Sequence, residues 1–116
     1  MLILLPPSET KRDGGAPGSA LDLTALSFPT LTAPRRKALA GLRSVSRSVA
    51  ASTSALGLGP TQRFEIERNR AISTSSTMPA IERYTGVLYD AIDLGTLDEN
   101  CRGFLGASVV IHSALF

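Results

Sequence analysis

The sequence closes on Val109-Val110-Ile111-His112-Ser113-Ala114-Leu115-Phe116, an apolar run that reads as a core strand with no further element behind it. An uninterrupted apolar run suits a strand covered on both faces, as in parallel or mixed sheets. A second such run, Leu2 to Leu5, stands at the start and is cut short by Pro6-Pro7. Ser8 to Ala20, with Gly14, Gly15, Pro17 and Gly18, reads as an exposed loop, and helical periodicity sets in from Thr32. The pattern predicts a mixed α/β fold, a central mixed sheet with surrounding helices, and a sheet that needs more neighbours than 116 residues supply. The expectation is therefore an incomplete domain, marginal for want of a sheet partner.

Composition supports an ordered chain, with 43% hydrophobic and 19% charged residues. Four Phe, two Tyr and no Trp leave Leu, Ile, Val and Ala to build the core. The net charge is only +2, yet ten of the twelve basic residues are Arg. Arginine suits bidentate phosphate contact, although GC-rich coding produces the same bias and is the simpler account. A lone Cys101 excludes an internal disulfide and fits a reducing compartment. The N-terminus has no basic stretch before its short apolar run, and no run approaches a membrane span, so a cytoplasmic location is expected.

The first helix is expected from Thr32-Ala33-Pro34, with Thr32 as N-cap and Pro34 in the first turn. Leu39, Leu42, Val45 and Val49 then share one face, with Arg36, Arg43 and Arg47 largely off it. A second helix is expected over Thr61 to Ile72, ended by the Ser73–Thr77 run. A third starts at Met78-Pro79 and passes through Ile81, Tyr84, Leu88 and Ile92, with Gly86 marking a bend or close contact. Thr96 is expected to cap a short fourth.

Two places carry candidate chemistry. The Ser8-Glu9-Thr10-Lys11 loop follows the first strand, where α/β proteins place ligands, and offers hydroxyl, carboxylate and ammonium groups. Arg83, Tyr84 and Tyr89 on the third helix are candidates for the same cleft. The second place is Leu56-Gly57-Leu58-Gly59-Pro60, which has the form of a helix-hairpin-helix connection. There Gly57 and Gly59 permit a tight turn, and Thr61 opens the next helix with free amides for a phosphate. Arg63, Arg68 and Arg70 add charge, for sequence-independent, salt-sensitive DNA contact. The plain alternative is a glycine helix cap.

No residue is expected to be catalytic. His112 lacks triad partners and metal co-ligands and reads as structural, and Arg102 beside Cys101 is weak support for a reactive thiol. No cofactor motif and no metal-ligand spacing is present, and no protein partner is indicated.

Met1-Leu2-Ile3-Leu4-Leu5-Pro6-Pro7-Ser8-Glu9-Thr10-Lys11, then Asn69-Arg70-Ala71, then Pro79-Ala80-Ile81-Glu82-Arg83-Tyr84-Thr85-Gly86-Val87-Leu88-Tyr89-Asp90, and Ser113-Ala114-Leu115-Phe116 together resemble the peroxide-stress proteins of the YaaA family, in an actinobacterial form. The resemblance spans nearly the whole chain. Family members are single domains about twice as long, so residues 1–116 would be the N-terminal portion of one such domain. In place of the proteobacterial Ser-Pro-Ala-Lys opening this chain has Pro-Pro-Ser-Glu-Thr-Lys. The resemblance implies a cytoplasmic protein that limits free iron and oxidative DNA damage under peroxide, binds DNA through a helix-hairpin-helix-like element and a positive cleft, and has no assigned reaction. Two other readings stand beside it: an enzyme or small-ligand protein using the Ser8–Lys11 loop with Arg83 and Tyr84, or a truncated piece with no function alone.

Overall fold

The computed structural model describes residues 1–113 and 115. The chain folds as two compact units. The first joins residues 1–16 to residues 77–113, and the second is the stretch from Pro17 to Ser76 together with Leu115.

The first unit is built on a two-stranded parallel sheet. Strand β1 is Ile3–Leu5 and β2 is Val109–Ile111, paired Ile3 to Val109, Leu4 to Val110 and Leu5 to Ile111. Parallel pairing requires a crossover, and everything from residue 6 to 108 supplies it. The two terminal apolar runs therefore do pair with each other. They are not covered on both faces: Ile3 and Leu5 are half-buried, while Leu4 is 66% exposed. Regular pairing stops at Ile111, although the His112 amide still donates to the Leu5 carbonyl at 2.9 Å. The His112 side chain is exposed. Of the expected terminal strand, Ala114 and Phe116 lie outside the described residues.

The second unit holds three helices: α1 (Thr32–Val45), α2 (Val49–Leu56) and α3 (Phe64–Ala71). A 3-10 turn at Pro29–Leu31 runs directly into α1, so Thr32 is its first helical residue and not its cap. The expected face through Val49 is split between α1 and α2. Serines cause the break. Ser46 Oγ turns back to the Leu42 carbonyl at 2.7 Å, and Ser48 Oγ accepts from the Ala51 amide at 3.2 Å as the N-cap of α2. Ser52 Oγ then donates to the Val45 carbonyl at 3.1 Å and joins the two helices. Ile66 of α3, 2% exposed, is the buried hydrophobic centre of this unit.

The remaining helices belong to the first unit. The expected third helix is two single turns, α4 (Ala80–Arg83) and α5 (Val87–Asp90), separated by extended Tyr84 and by Gly86 at φ 104°. The last helix, α6, is Glu99–Ser108. Its N-cap is Asp98, whose carboxylate accepts the Cys101 amide at 2.8 Å. Thr96 closes the 3-10 turn Leu94–Thr96 instead of capping this helix. Among the described residues no helix is long and apolar enough to cross a membrane.

Candidate functional site

The loop leaving β1 and the break between α4 and α5 hold each other. Lys11 pairs with Tyr84 as an antiparallel bridge. The Thr85 amide donates to the Thr10 carbonyl at 3.1 Å, and Thr10 Oγ1 donates to the Thr85 carbonyl at 3.0 Å. A little further along, the Arg12 amide reaches the Arg83 carbonyl at 2.7 Å, while Arg83 Nη1 donates to the Arg12 carbonyl at 2.7 Å. This mutual pairing forces Tyr84 out of helical geometry. Tertiary contact overrides the local helical period here.

All six residues expected in a cleft thus lie in one unit. Ser8 Oγ sits 3.2 Å from Thr10 Oγ1 and accepts the Thr10 amide at 3.3 Å. The Lys11 ammonium donates to the Glu9 carbonyl at 3.2 Å and stands 6.0 Å from the Tyr84 ring centre. Tyr84 and Tyr89 are tilted rings with centres 5.3 Å apart. The Tyr89 hydroxyl donates to the Pro6 carbonyl at 2.6 Å, and the residue is 6% exposed. Burial, and then the neighbouring Tyr84, push its hydroxyl pKa up, so it stays a donor. Sequence reasoning missed Thr10 and Thr85, whose groups carry the strand-to-turn contact. The Arg-Tyr-Thr-Gly stretch was the available signal.

The groups left at the surface of this cluster are the Ser8–Thr10 hydroxyl pair, the Glu9 carboxylate and the Lys11 ammonium. They can hold a small polar or anionic group by hydrogen bonds. Arg83 is committed to Arg12, and Tyr89 to Pro6. A separate apolar hollow of about 470 Å³ is lined by Ile92, Leu97, Cys101, Phe104 and Leu105, with Asn100 at its polar side.

The glycine connection lies in the second unit, between α2 and α3. Gly57 caps α2 at φ 63°, and Gly59 is extended before the 3-10 turn Pro60–Gln62. Thr61 lies inside that turn. Three amides of the connection, however, are used internally. Those of Gly57 and Leu58 both reach the Thr53 carbonyl, and that of Gly59 donates to Gln62 Oε1 at 2.9 Å. The arginines on α3 are also engaged. Arg68 pairs with Glu65 at 3.2 Å and lies over the Phe64 ring at 4.9 Å. Arg70 pairs with Glu67 at 2.6 Å and donates to the Ser46 carbonyl at 2.7 Å, at the end of α1. Among the described residues, the Arg63 side chain has no such partner.

Charge is divided unevenly along the chain. Residues 17–76 carry eight Lys and Arg against three Asp and Glu. The remainder carries four against seven. Two of the three acids in the basic unit, Glu65 and Glu67, are paired, and the third, Asp22, is held by Thr24. Among the described residues no group of three His, Cys, Asp or Glu is gathered for a metal.

These features define a mixed α/β chain with a basic helical unit and a polar loop at the end of its first strand. The family described as peroxide stress protein YaaA matches residues 1–116, and the chain belongs to it. A UPF0246 protein of Corynebacterium glutamicum is 51% identical over the whole chain, and one of Corynebacterium efficiens is 48% identical. A UPF0246 protein of Streptomyces coelicolor is 40% identical over 123 aligned positions. The chain spans 44–45% of the length of these relatives. No solved structure matches it significantly.

Proposed function

We propose that the protein acts in the peroxide-stress response as a DNA-associated, non-enzymatic factor of the cytoplasm. It contacts duplex phosphates without reading sequence, and through that association free iron and oxidative DNA damage are held down. The observation that carries this reading is the basic excess of residues 17–76, where the nearby carboxylates are already occupied. Uncompensated positive charge on a helical surface attracts the condensed phosphate charge of a duplex. The reading assigns the chain no iron ligand.

Fluorescence anisotropy of a labelled random-sequence duplex tests it. Binding at low salt, equal for unrelated sequences, is expected. A flat titration at about 20 mM salt, where phosphate contacts are strongest, would sink the proposal.

A second reading is favoured by the Ser8–Thr10 hydroxyl pair beside Lys11. This cluster would hold a small anionic ligand. Native mass spectrometry of freshly purified protein would support it by a bound small molecule that Ser8→Ala and Lys11→Ala remove.

A further inference from the structure

We infer that the phosphate-contacting surface runs along the exposed side of α1, through Arg36, Lys37, Arg43 and Arg47, and not through the glycine connection and α3. This rests on the DNA-binding reading and assigns its location. In the glycine connection the amides of Gly57, Leu58 and Gly59 already have acceptors within the chain, and Pro60 has no amide hydrogen to offer. Arg68 and Arg70 are likewise held by Glu65, Glu67 and the end of α1. Freeing any of these groups costs the contact it makes now, which reduces any net gain from a phosphate.

The α1 side differs on every count. Arg36, Lys37, Arg43 and Arg47 are exposed, and among the described residues none has a hydrogen-bond or ion-pair partner for its side chain. The helix itself contains no Asp or Glu. Arg36 and Arg43 are seven residues apart, so they lie on one side, separated by about 10 Å of helix rise. That spacing is comparable with the width of a duplex groove, about 6 Å for the minor and 12 Å for the major. Long arginine side chains on such a frame can reach phosphates on either edge of a groove. Arg47 stands just past the end of α1, and Lys37 lies about a quarter-turn round from Arg36.

What lies between the basic residues also fits a duplex better than a lipid surface. Ala40, Gly41 and Ser44 are exposed there, all small. They permit close approach of a sugar–phosphate backbone but offer no large apolar side chain for insertion into a bilayer. Arginine also supplies the planar bidentate fork that phosphate prefers.

The test compares the full chain with the triple variant Arg36→Gln, Arg43→Gln, Arg47→Gln and with Arg68→Gln, by anisotropy on the same duplex. Circular dichroism melts check the fold of each. The inference expects the triple variant to lose at least roughly tenfold in affinity with an unchanged melt, and Arg68→Gln to stay within about twofold. Restoring charge with Arg36→Lys, Arg43→Lys and Arg47→Lys should recover most of the loss, which separates a charge effect from a folding effect. If the parent chain binds and the triple variant binds equally well, the surface is wrong while the DNA-binding reading stands. If the parent chain does not bind DNA at all, that reading fails and takes this inference with it. Preferential binding of the parent to vesicles of anionic phospholipid over duplex would also overturn it.

Discussion

Several side chains that looked functional from their type alone are used to hold the backbone. Arg70 joins α3 to the end of α1 through the Ser46 carbonyl, placing a cation where the α1 dipole is negative. Arg70→Ala should therefore destabilise the chain by about 1–3 kcal/mol, read as a lowered midpoint in urea. Arg63→Ala, which removes no such contact, should shift it by less than about 0.5 kcal/mol. Tyr89 ties α5 to the end of β1 through Pro6. Because its folded pKa is raised, the protonated form is the stabilised one. That contribution is complete below the ordinary tyrosine pKa of about 10 and fades as pH rises through the higher folded value. An ultraviolet titration should show a late tyrosinate component that Tyr89→Phe removes, together with about 1 kcal/mol of stability. These roles were not legible in the sequence, because a type and a spacing do not say which carbonyl lies within reach.

At the scale of elements, the reading of the sequence succeeded where periodicity was uninterrupted. Leu39, Leu42 and Val45 marked the inward face of α1, and the Ser73–Thr77 run ended α3 close to where it stops. It failed where a side chain competed for the backbone or a distant strand imposed its own geometry. Ser46 and Ser48 cut the first helix in two, and Lys11 pulled Tyr84 into a bridge. Gly86 was rightly marked as a bend. Its φ of 104° is unfavourable for any side chain, and a Cβ would sit 3.4 Å from Thr10 Oγ1 and 3.5 Å from Ser8 Oγ. Gly86→Ala should cost about 1–2 kcal/mol and disturb the Ser8–Thr10 loop, visible as amide shifts of those residues. Asp98 caps α6 with a carboxylate whose pKa is lowered by the Cys101 amide. Its support is present above the ordinary aspartate range and is lost as pH falls through the lower folded value. Asp98→Asn should keep most of the cap and flatten the acid limb of the stability curve.

For the whole molecule, the strongest expectation was a sheet wanting neighbours. The first unit shows that physically, with a two-stranded parallel sheet, Leu2 and Leu4 largely exposed, and Val87, Leu88 and Phe104 uncovered. Parallel sheets are ordinarily covered on both faces. The relatives it matches are more than twice as long. Function was legible only as far as the family; where charge gathers depended on the fold. The glycine connection drew attention as a motif, whereas Arg36, Lys37 and Arg43, which have no side-chain partner among the described residues, stand on α1 and read from sequence as an ordinary solvated face.

The central claim is that uncompensated cations of the helical unit meet duplex phosphates. Its most direct measurement is the slope of log affinity against log salt concentration for the intact chain on a random duplex. Contacts from Arg36, Lys37, Arg43 and Arg47 predict a slope of about −3.6, at about 0.9 per phosphate. A slope near zero would contradict the account, whatever the affinity.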